Sequence, residues 1–584
     1  MIGAYLVLTL AVGLWLARRA KGGLEDFFVG GRSLPWWLAG TSMAATTFSV
    51  DTPLYVTGLV ARRGIAGNWE WWAFALSHLL LIYLFARLWR RAKVVTDVEL
   101  SEIRYGGRPA AILRATRAFL FAVPINCIAI GYVMLAMRKV IVALGVLEGL
   151  PAWLPGDARL WAVVLLCAFV LVYAGISGLW GVVATDFFQF LLAMGGALLV
   201  TGFALAEIGG VGPLKEQLVG SGRGDALHML PRPGSAELPL VTFLSYLGIQ
   251  WWAFRRSDGG GEFVQRLSAC RDERDAERAA WLFAVLHYVV RAWPWILAGL
   301  AALLIFPHLE DPELGYPLLM LRYLPAGLLG LVAASFVAAF MSTVSTQINW
   351  GASYLVNDLY GRFVNRDASP ARQVGMGRVA SVLIVALGGI AAFYADDIGT
   401  VFRLMIILGT GPGAVLILRW FWWRVNAWAE LTAMLGGFGI GLLTYVLWGD
   451  MEFGVRLQVT AGGSALVWIP VMLLTAPESG STLVAFYRRA RPGGPGWNRI
   501  RREAAVPPGA RLAADLERVG WASLILFGTA FAVGGAALLE PGTALASGAV
   551  AGIGALGLAV RTRRRQAEPT GRGMERGDGV GGKG

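Results

Sequence analysis

Hydroxyl side chains in the middle of an apolar stretch are costly, and this chain places them there twice. Thr46-Thr47-Phe48-Ser49, followed by Asp51, Thr52 and Pro53, interrupts a hydrophobic segment running from about residue 34 to 60. Ser342-Thr343-Val344-Ser345-Thr346 interrupts a second, from about 324 to 355. Pro53 has no backbone N–H to give, and a carboxylate such as Asp51 is expensive among apolar groups unless it faces a protected cavity. Ser342 and Thr343 follow Ala339 by three and four residues, so their hydroxyls lie beside the turn that carries its carbonyl and can bend back to open it. Carbonyls freed by a break in one helix, joined to hydroxyls of another, make a small cage of uncharged oxygens. Hard cations take oxygen ligands. A cage without carboxylates suits a singly charged ion, sodium first, better than calcium or magnesium. The competing reading is that small and hydroxylated residues simply let membrane helices pack closely.

The elements that must position these residues are membrane helices. The 584 residues are 56% hydrophobic and only 15% charged, where a soluble domain would be near one quarter charged. A helix needs about 20 apolar residues to cross the hydrocarbon. On that measure there are roughly fifteen spans, near 1–18, 34–59, 67–89, 112–144, 159–177, 181–207, 238–256, 279–306, 324–355, 376–394, 399–420, 427–448, 456–475, 519–538 and 543–560. The first lacks a basic start and a small-residue cleavage site, so it reads as a true span and not as a signal peptide. A basic loop is expected over 476–518, a helix pair over 519–561, and a disordered basic tail over 562–584, where Gly and Arg cannot bury apolar surface.

The net charge of +13 does not point to nucleic acid, because the basic residues sit in loops that alternate with sparse ones. Arg18-Arg19, Arg90-Arg91, Arg255-Arg256, Arg488-Arg489 and Arg561 to Arg565 fall on one side; Arg62-Arg63, Lys215, Arg223 and Arg232 fall on the other. The positive-inside rule then puts the N-terminus outside and the C-terminus in the cytoplasm, which an odd number of spans requires. Cys127, Cys167 and Cys270 have no metal or disulfide spacing, and His78, His228, His287 and His308 are scattered. An intramembrane enzyme would need convergent His, Cys or paired acids, and there is no Gly-rich phosphate loop. The expectation is therefore no catalytic residue, no organic cofactor, and sodium as the only metal.

Several pieces, in order, resemble one family. Asp26-Phe27-Phe28-Val29-Gly30-Gly31-Arg32-Ser33-Leu34-Pro35-Trp36-Trp37 and the first interruption look like the opening of the sodium:solute symporters, which include sodium-coupled sugar, proline and pantothenate carriers. Gly178-Leu179-Trp180-Gly181-Val182-Val183-Ala184-Thr185-Asp186-Phe187-Phe188-Gln189 resembles that family's Gly-rich turn and helix entry. Gln265-Arg266-Leu267-Ser268-Ala269 resembles its Gln-Arg loop. Met341-Ser342-Thr343 with Asn357-Asp358-Leu359-Tyr360 resembles its sodium-site helix and exit, and Phe421-Trp422-Trp423-Arg424-Val425-Asn426-Ala427 its basic turn. The resemblance implies an all-α polytopic protein with a leucine-transporter-like core of five plus five inverted helices, near 34–207 and 238–420, inside a symporter domain of 26–475 with a separate N-terminal helix in 1–25. It implies a sodium site of the Ala45, Phe48 and Ala339 carbonyls with the Ser342 and Thr343 hydroxyls. Asp186 matches an acid implicated in a further ion site or exit route in some members; a charge satisfying a helix N-terminus is an equal alternative. Two departures stand out. Thr47 replaces an aspartate of some amino-acid carriers, and the join Arg255-Arg256-Ser257-Asp258-Gly259-Gly260-Gly261 is longer than usual.

For the solute cavity the candidates are Asp51 and Thr52, then Trp69, Glu70 and Trp72 (with Trp71) at the second core helix, and Gln250, Trp251 and Trp252 in the sixth. Acid, amide and indole groups can hold polyols or cations, although an interfacial belt also uses tryptophan. Arg291 would suit an anionic solute or a paired, snorkelling role. The expected function is sodium-driven import of a small organic solute through the cytoplasmic membrane of a cell, an arginine-rich composition being associated with bacteria. Partners are the solute, sodium and the lipid bilayer, and the sequence is silent on oligomeric state. A proton-coupled carrier using Asp51 or Asp186, or a solute sensor, are the other readings; a tail this short leaves no room for a kinase.

Overall fold

The computed structural model describes residues 29–145, 158–235, 237–394 and 397–567, with isolated positions at 3, 6, 7 and 11. Among them, nine helices are long and apolar enough to cross a membrane, or ten if the pair Ile65–Trp72 and Ala75–Ala92, bent by 42°, is one span. The longer helices are α1 (Trp36–Thr46), α2 (Asp51–Arg63), α3 (Ile65–Trp72), α4 (Ala75–Ala92), α5 (Gly107–Ala143), α6 (Ala158–Ile208), α7 (240–253), α8 (Gly261–Ala269) and α9 (Glu273–Ile305). They continue with α10 (Ala326–Val364), α11 (Pro370–Phe393), α12 (Ile398–Leu408), α13 (Gly413–Phe421), α14 (Ala427–Leu447), α15 (Phe453–Leu474), α16 (Leu512–Ala537) and α17 (Pro541–Ala567).

The difference from fifteen plain spans has physical causes. Three expected spans are interrupted: 34–59 between α1 and α2, 238–256 beyond α7, and 399–420 between α12 and α13. The stretches 159–177 and 181–207 run together as α6, so the expected Gly-rich turn at 178–181 is helical and Thr185-Asp186 lies inside a helix, not at its entry. Span 1–18 falls outside the described residues except for isolated positions. The segment 476–518 is more ordered than a loop. It carries helices Gly480–Ala490 and Asn498–Ala504, and Trp497 is buried with its indole N–H 2.8 Å from the Trp420 carbonyl. Helix α17 runs into the expected tail as far as Ala567; residues 568–584 lie outside the described residues.

The interruptions follow from side-chain chemistry. At the end of α1 the Thr47 hydroxyl bends back to the Met43 and Ala44 carbonyls (3.2 and 3.0 Å), and the Thr52 hydroxyl accepts from the Ser49 amide (3.1 Å). Local hydroxyls thus take backbone partners that helix continuity would need. The second break, 254–260, is the Arg-Arg-Ser-Asp-Gly-Gly join; Gly259 and Gly260 have positive φ of 124° and 71°, open to glycine at little cost. What the sequence presents as a loop before a Gln-Arg loop is an unwound turn followed by a helix, α8, carrying Gln265 and Arg266. Phe254 pairs with Thr410, and the Arg255 amide donates to Gly409 (2.8 Å), so this break is laced to the one between α12 and α13. In α9 a wide turn over Leu286–Val290 precedes Pro294, which has no N–H for the Val290 carbonyl.

One flank of the bundle is tied by buried charge. Glu430 of α14 accepts from Arg117 (2.7 Å) and Arg419 (3.0 Å); Arg117 also pairs with Asp97, and Arg419 with Asp258 of the second break (2.6 Å). Tyr354 donates to Asp97, Tyr105 to Glu430 (3.0 Å) and Trp420 to Asp258 (2.9 Å). Nearby, outside the spans, Glu102 sits between Arg114 (2.7 Å) and Arg362 (2.8 Å). Burial alone would raise its carboxyl, but the two guanidinium hydrogen bonds hold it below the ordinary value.

Candidate functional site

The two hydroxyl-rich stretches face each other, but only the first breaks its helix: α10 runs unbroken through 342–346, and neither Ser342, which donates to Asp186, nor Thr343, which has no partner, bends back to the Ala339 carbonyl as expected. Helix α10 packs on α1 and α6, and Thr46 Oγ1 lies 3.4 Å from Thr346 Oγ1. Asp186 of α6 is fully buried and accepts from Ser42 of α1 (2.5 Å) and from Ser342 of α10 (2.7 Å). Arg266 of α8 donates to Ser42 (2.9 Å) and Thr346 (2.8 Å), and its guanidinium is 3.6 Å from Asp186. One carboxylate and one guanidinium therefore join four helices. Because Ser342 spends its hydrogen on Asp186, its oxygen lone pairs stay available to an electron-poor partner. Thr343 Oγ1 is buried with no hydrogen-bond partner. Buried hydroxyls are normally satisfied, so this one asks for something to bind. The Ala45 carbonyl accepts from the Phe48 amide (3.0 Å), which leaves it one lone pair. Ala339 lies one turn before Thr343 on α10.

Beside this contact is a cavity of about 180 Å³. Thr46, Thr47 and Ser49 line it from the first break and Thr343 and Gln347 from α10, so both stretches open onto one space. Asp51 and Thr52 also line it, and Asp51 Oδ1 is buried without a partner. The second break and α8 contribute Arg255, Arg256 and Glu262; α9 contributes His287, Tyr288 and Arg291. Arg256 pairs with Glu262 at 2.5 Å. Arg291 donates to the Ala44 carbonyl (3.2 Å) and to Thr47 Oγ1 (3.1 Å), and Thr47 Oγ1 is 3.0 Å from His287 Nδ1. Thr47 thus stands where it anchors an arginine.

The other sequence candidates lie elsewhere. Glu70 is fully buried but turned to Tyr55 (2.8 Å), Arg63 (2.8 Å) and Tyr246 (3.0 Å). Gln250 donates to the Glu70 carbonyl (2.6 Å). The Trp69 indole donates to Met229 (2.9 Å), and the Trp72 ring packs on Trp293 and Phe531. Trp251 and Trp252 donate back to their own helix, at Leu247 (2.8 Å) and Gly248 (2.5 Å). It is their neighbour Trp71 that reaches the cavity. The sequence reasoning did not single out Tyr132, Arg256, Glu262, Gln347 or Tyr288 as lining residues, and it found no relation between His78 and His287. Folding sets the two imidazoles 6.1 Å apart between centroids, with His78 Nδ1 2.6 Å from Tyr288 Oη. A usable signal existed for some: Gln347 follows Thr343 by one turn, and His287 precedes Arg291 by one turn. No cluster of His, Cys, Asp and Glu fit to hold a metal ion occurs among the described residues.

Comparison with known proteins agrees with this geometry. The chain is 25% identical over 490 residues to a sodium/glucose cotransporter of Vibrio parahaemolyticus, covering 78% of this chain and 86% of the relative. It is 26% identical over 484 residues to the human sodium/myo-inositol cotransporter 2, covering 76% and 69%. In three dimensions it shares its fold with a sodium-coupled sialic acid symporter solved in a substrate-bound, outward-open state, at a TM-score of 0.66 and 21% identity, over 82% of this chain and 98% of that one. The sequence model of the sodium:solute symporter family matches residues 27–437, through every helix that carries the cavity and the Asp186 junction. This multi-pass membrane protein, with its two facing hydroxyl-rich stretches, belongs to the sodium:solute symporter family.

Proposed function

We propose that the protein is a sodium-coupled secondary active transporter that imports a small organic solute by alternating access, with the 180 Å³ cavity as its solute site. The observation that carries this is the buried, unpartnered Thr343 hydroxyl at the contact of α1 and α10, next to that cavity. Sodium would be held by the Ala45, Phe48 and Ala339 carbonyls and the Ser342 and Thr343 hydroxyls. Asp186, bonded to Ser342, would serve a second ion or its exit. Paired breaks at 47–50 and 254–260 support taking 34–207 and 238–420 as the two inverted repeats, since each then opens on an interrupted element. The distribution of arginine supports a cytoplasmic C-terminus and a place in the cytoplasmic membrane. One cation falling through about 100 mV contributes roughly 2.3 kcal/mol, and a tenfold gradient adds about 1.4. Coupled one to one, that concentrates a neutral solute a few hundred-fold.

The test is solute uptake into proteoliposomes under an imposed sodium gradient, repeated with choline for sodium and with a pH gradient. Uptake that requires sodium supports the reading. Uptake that survives without sodium but follows pH overturns it and assigns coupling to Asp51 or Asp186.

A further inference from the structure

The solute cavity holds more positive than negative charge after its internal pairs are formed. Arg256 is matched by Glu262. Arg255 and Arg291 also line the cavity, only 4% and 3% exposed, and neither forms an ion pair among the described residues. The Arg255 guanidinium lies over the rings of Phe121 (5.3 Å) and Trp350 (5.7 Å), and its Nε has no partner. The Arg291 guanidinium touches only neutral acceptors, the Ala44 carbonyl, Thr47 and His287, and its Nε is also unpartnered. Against these two cations stands one carboxylate, Asp51, which attracts Arg291 through space but forms no direct ion pair with either arginine, and whose Oδ1 has no hydrogen-bond partner. A buried guanidinium with no carboxylate in contact is destabilising, and an ionisable residue at such depth calls for a named partner.

We propose that the solute carries a carboxylate, met by Arg255 and Arg291, and that its opposite end presents hydroxyl or ammonium hydrogens to Asp51. This rests on the transporter reading above and specifies the occupant of the same cavity. A neutral sugar or cyclitol supplies hydrogen bonds but leaves the surplus charge uncompensated. A carboxylate supplies both, in the fork geometry that guanidinium groups match. Asp51 repels an acid group and so fixes which way the solute points. The cavity is smaller than the roughly 300–1,000 Å³ of drug-sized pockets, so the acid is small, and the aromatic walls of Trp71, Phe263 and Phe402 cover its apolar edges.

The experiment is equilibrium binding and thermal stabilisation of the full chain in nanodiscs, with sodium or potassium. Matched probes are D-glucuronate against D-glucose, D-gluconate against D-glucitol, and L-proline as the zwitterion. The expected result is that at least one carboxylate probe binds about tenfold or more tightly than its neutral twin. Arg255→Met and, separately, Arg291→Lys then narrow that gap while sodium alone still stabilises each variant. A sugar acid or proline as the preferred probe distinguishes a hydroxyl from an ammonium at Asp51. Glucose or glucitol binding as well as its acid overturns the proposal, as does silence of every acid, or an acid preference that neither substitution reduces. Sodium-dependent binding of a neutral sugar would sink only the carboxylate assignment, whereas acid binding indifferent to sodium would sink only the coupling.

Discussion

Replacing Thr343 with valine keeps shape and removes one oxygen, and the proposed sodium site gives the effect opposite signs with and without sodium. Thr343 Oγ1 has no hydrogen-bond partner, so its loss from the sodium-free protein removes an unsatisfied buried group worth about 1–3 kcal/mol. Thr343→Val should therefore be as stable as the parent, or more so, in choline. In the sodium site proposed above, the same oxygen is a ligand to a charge when sodium is present. An interaction of that kind contributes about 1.5–3 kcal/mol, which is roughly a ten- to hundredfold rise in the sodium concentration for half-maximal effect. Ser342→Ala makes the contrast. Its hydroxyl donates to Asp186 at 2.7 Å, so that variant should lose stability in both conditions. The assay is thermal melting of purified protein across a sodium titration, alongside sodium-dependent uptake. If Thr343→Val keeps the parent's sodium dependence, or destabilises the choline form as much as Ser342→Ala does, the assignment of Thr343 as a ligand is wrong.

Three further substitutions probe the frame. Gly413→Ala should cost about 1–3 kcal/mol and lower the melting temperature, because a Cβ there would lie 2.5 Å from the Ala253 carbonyl carbon and against the Trp252 and Phe254 carbonyls. Glu430→Gln removes the carboxylate that Arg117 and Arg419 share while Asp97 and Asp258 still pair with them, so the loss should stay below the about 3–5 kcal/mol of a buried charge left wholly unpaired, read as a lower denaturation midpoint. Glu102 titrates below its ordinary value of 4.5, so its stabilising contribution is complete above that pH and disappears as the pH falls through the lower folded value. Glu102→Gln should flatten the acid limb of the stability profile, and an unchanged limb would place the titration elsewhere.

The helical class and the two hydroxyl-rich interruptions were legible in sequence because each is a local contradiction: polar or proline-bearing residues inside an apolar run. Asp51 and Thr52 were legible for the same reason. The second break was not. Arg255, Arg256 and Asp258 give it the composition of a surface loop, and only tertiary pairing with Glu262 and Arg419 lets those charges lie buried. Gln265 and Arg266 were expected in a loop and are helical, because partners on α1, α6 and α10 take up the guanidinium. The tryptophans at 69, 72, 251 and 252 were drawn to the cavity by residue type alone. Which indole faces inward depends on helix phase around a bend, and Trp71 has the inward phase. His78 and His287 are 209 residues apart in the chain, a distance over which no spacing rule operates.

In the transport cycle proposed above, the charged cluster of Asp97, Arg117, Glu430, Arg419 and Asp258 would limit how the molecule moves. Separating those ions without admitting water would strand each in an apolar medium, at several kcal/mol apiece. In that cycle the chain segments bearing them would travel as a unit, leaving sliding to seams where the backbones come close. Gly40 against Ala279 and Gly131 against Ala391 are such seams, too tight there for even one added methyl. Displacement along them exchanges only dispersion contacts, each a small fraction of a kcal/mol. Bulk introduced at either glycine would therefore act on the rate of opening before it acts on what the cavity holds.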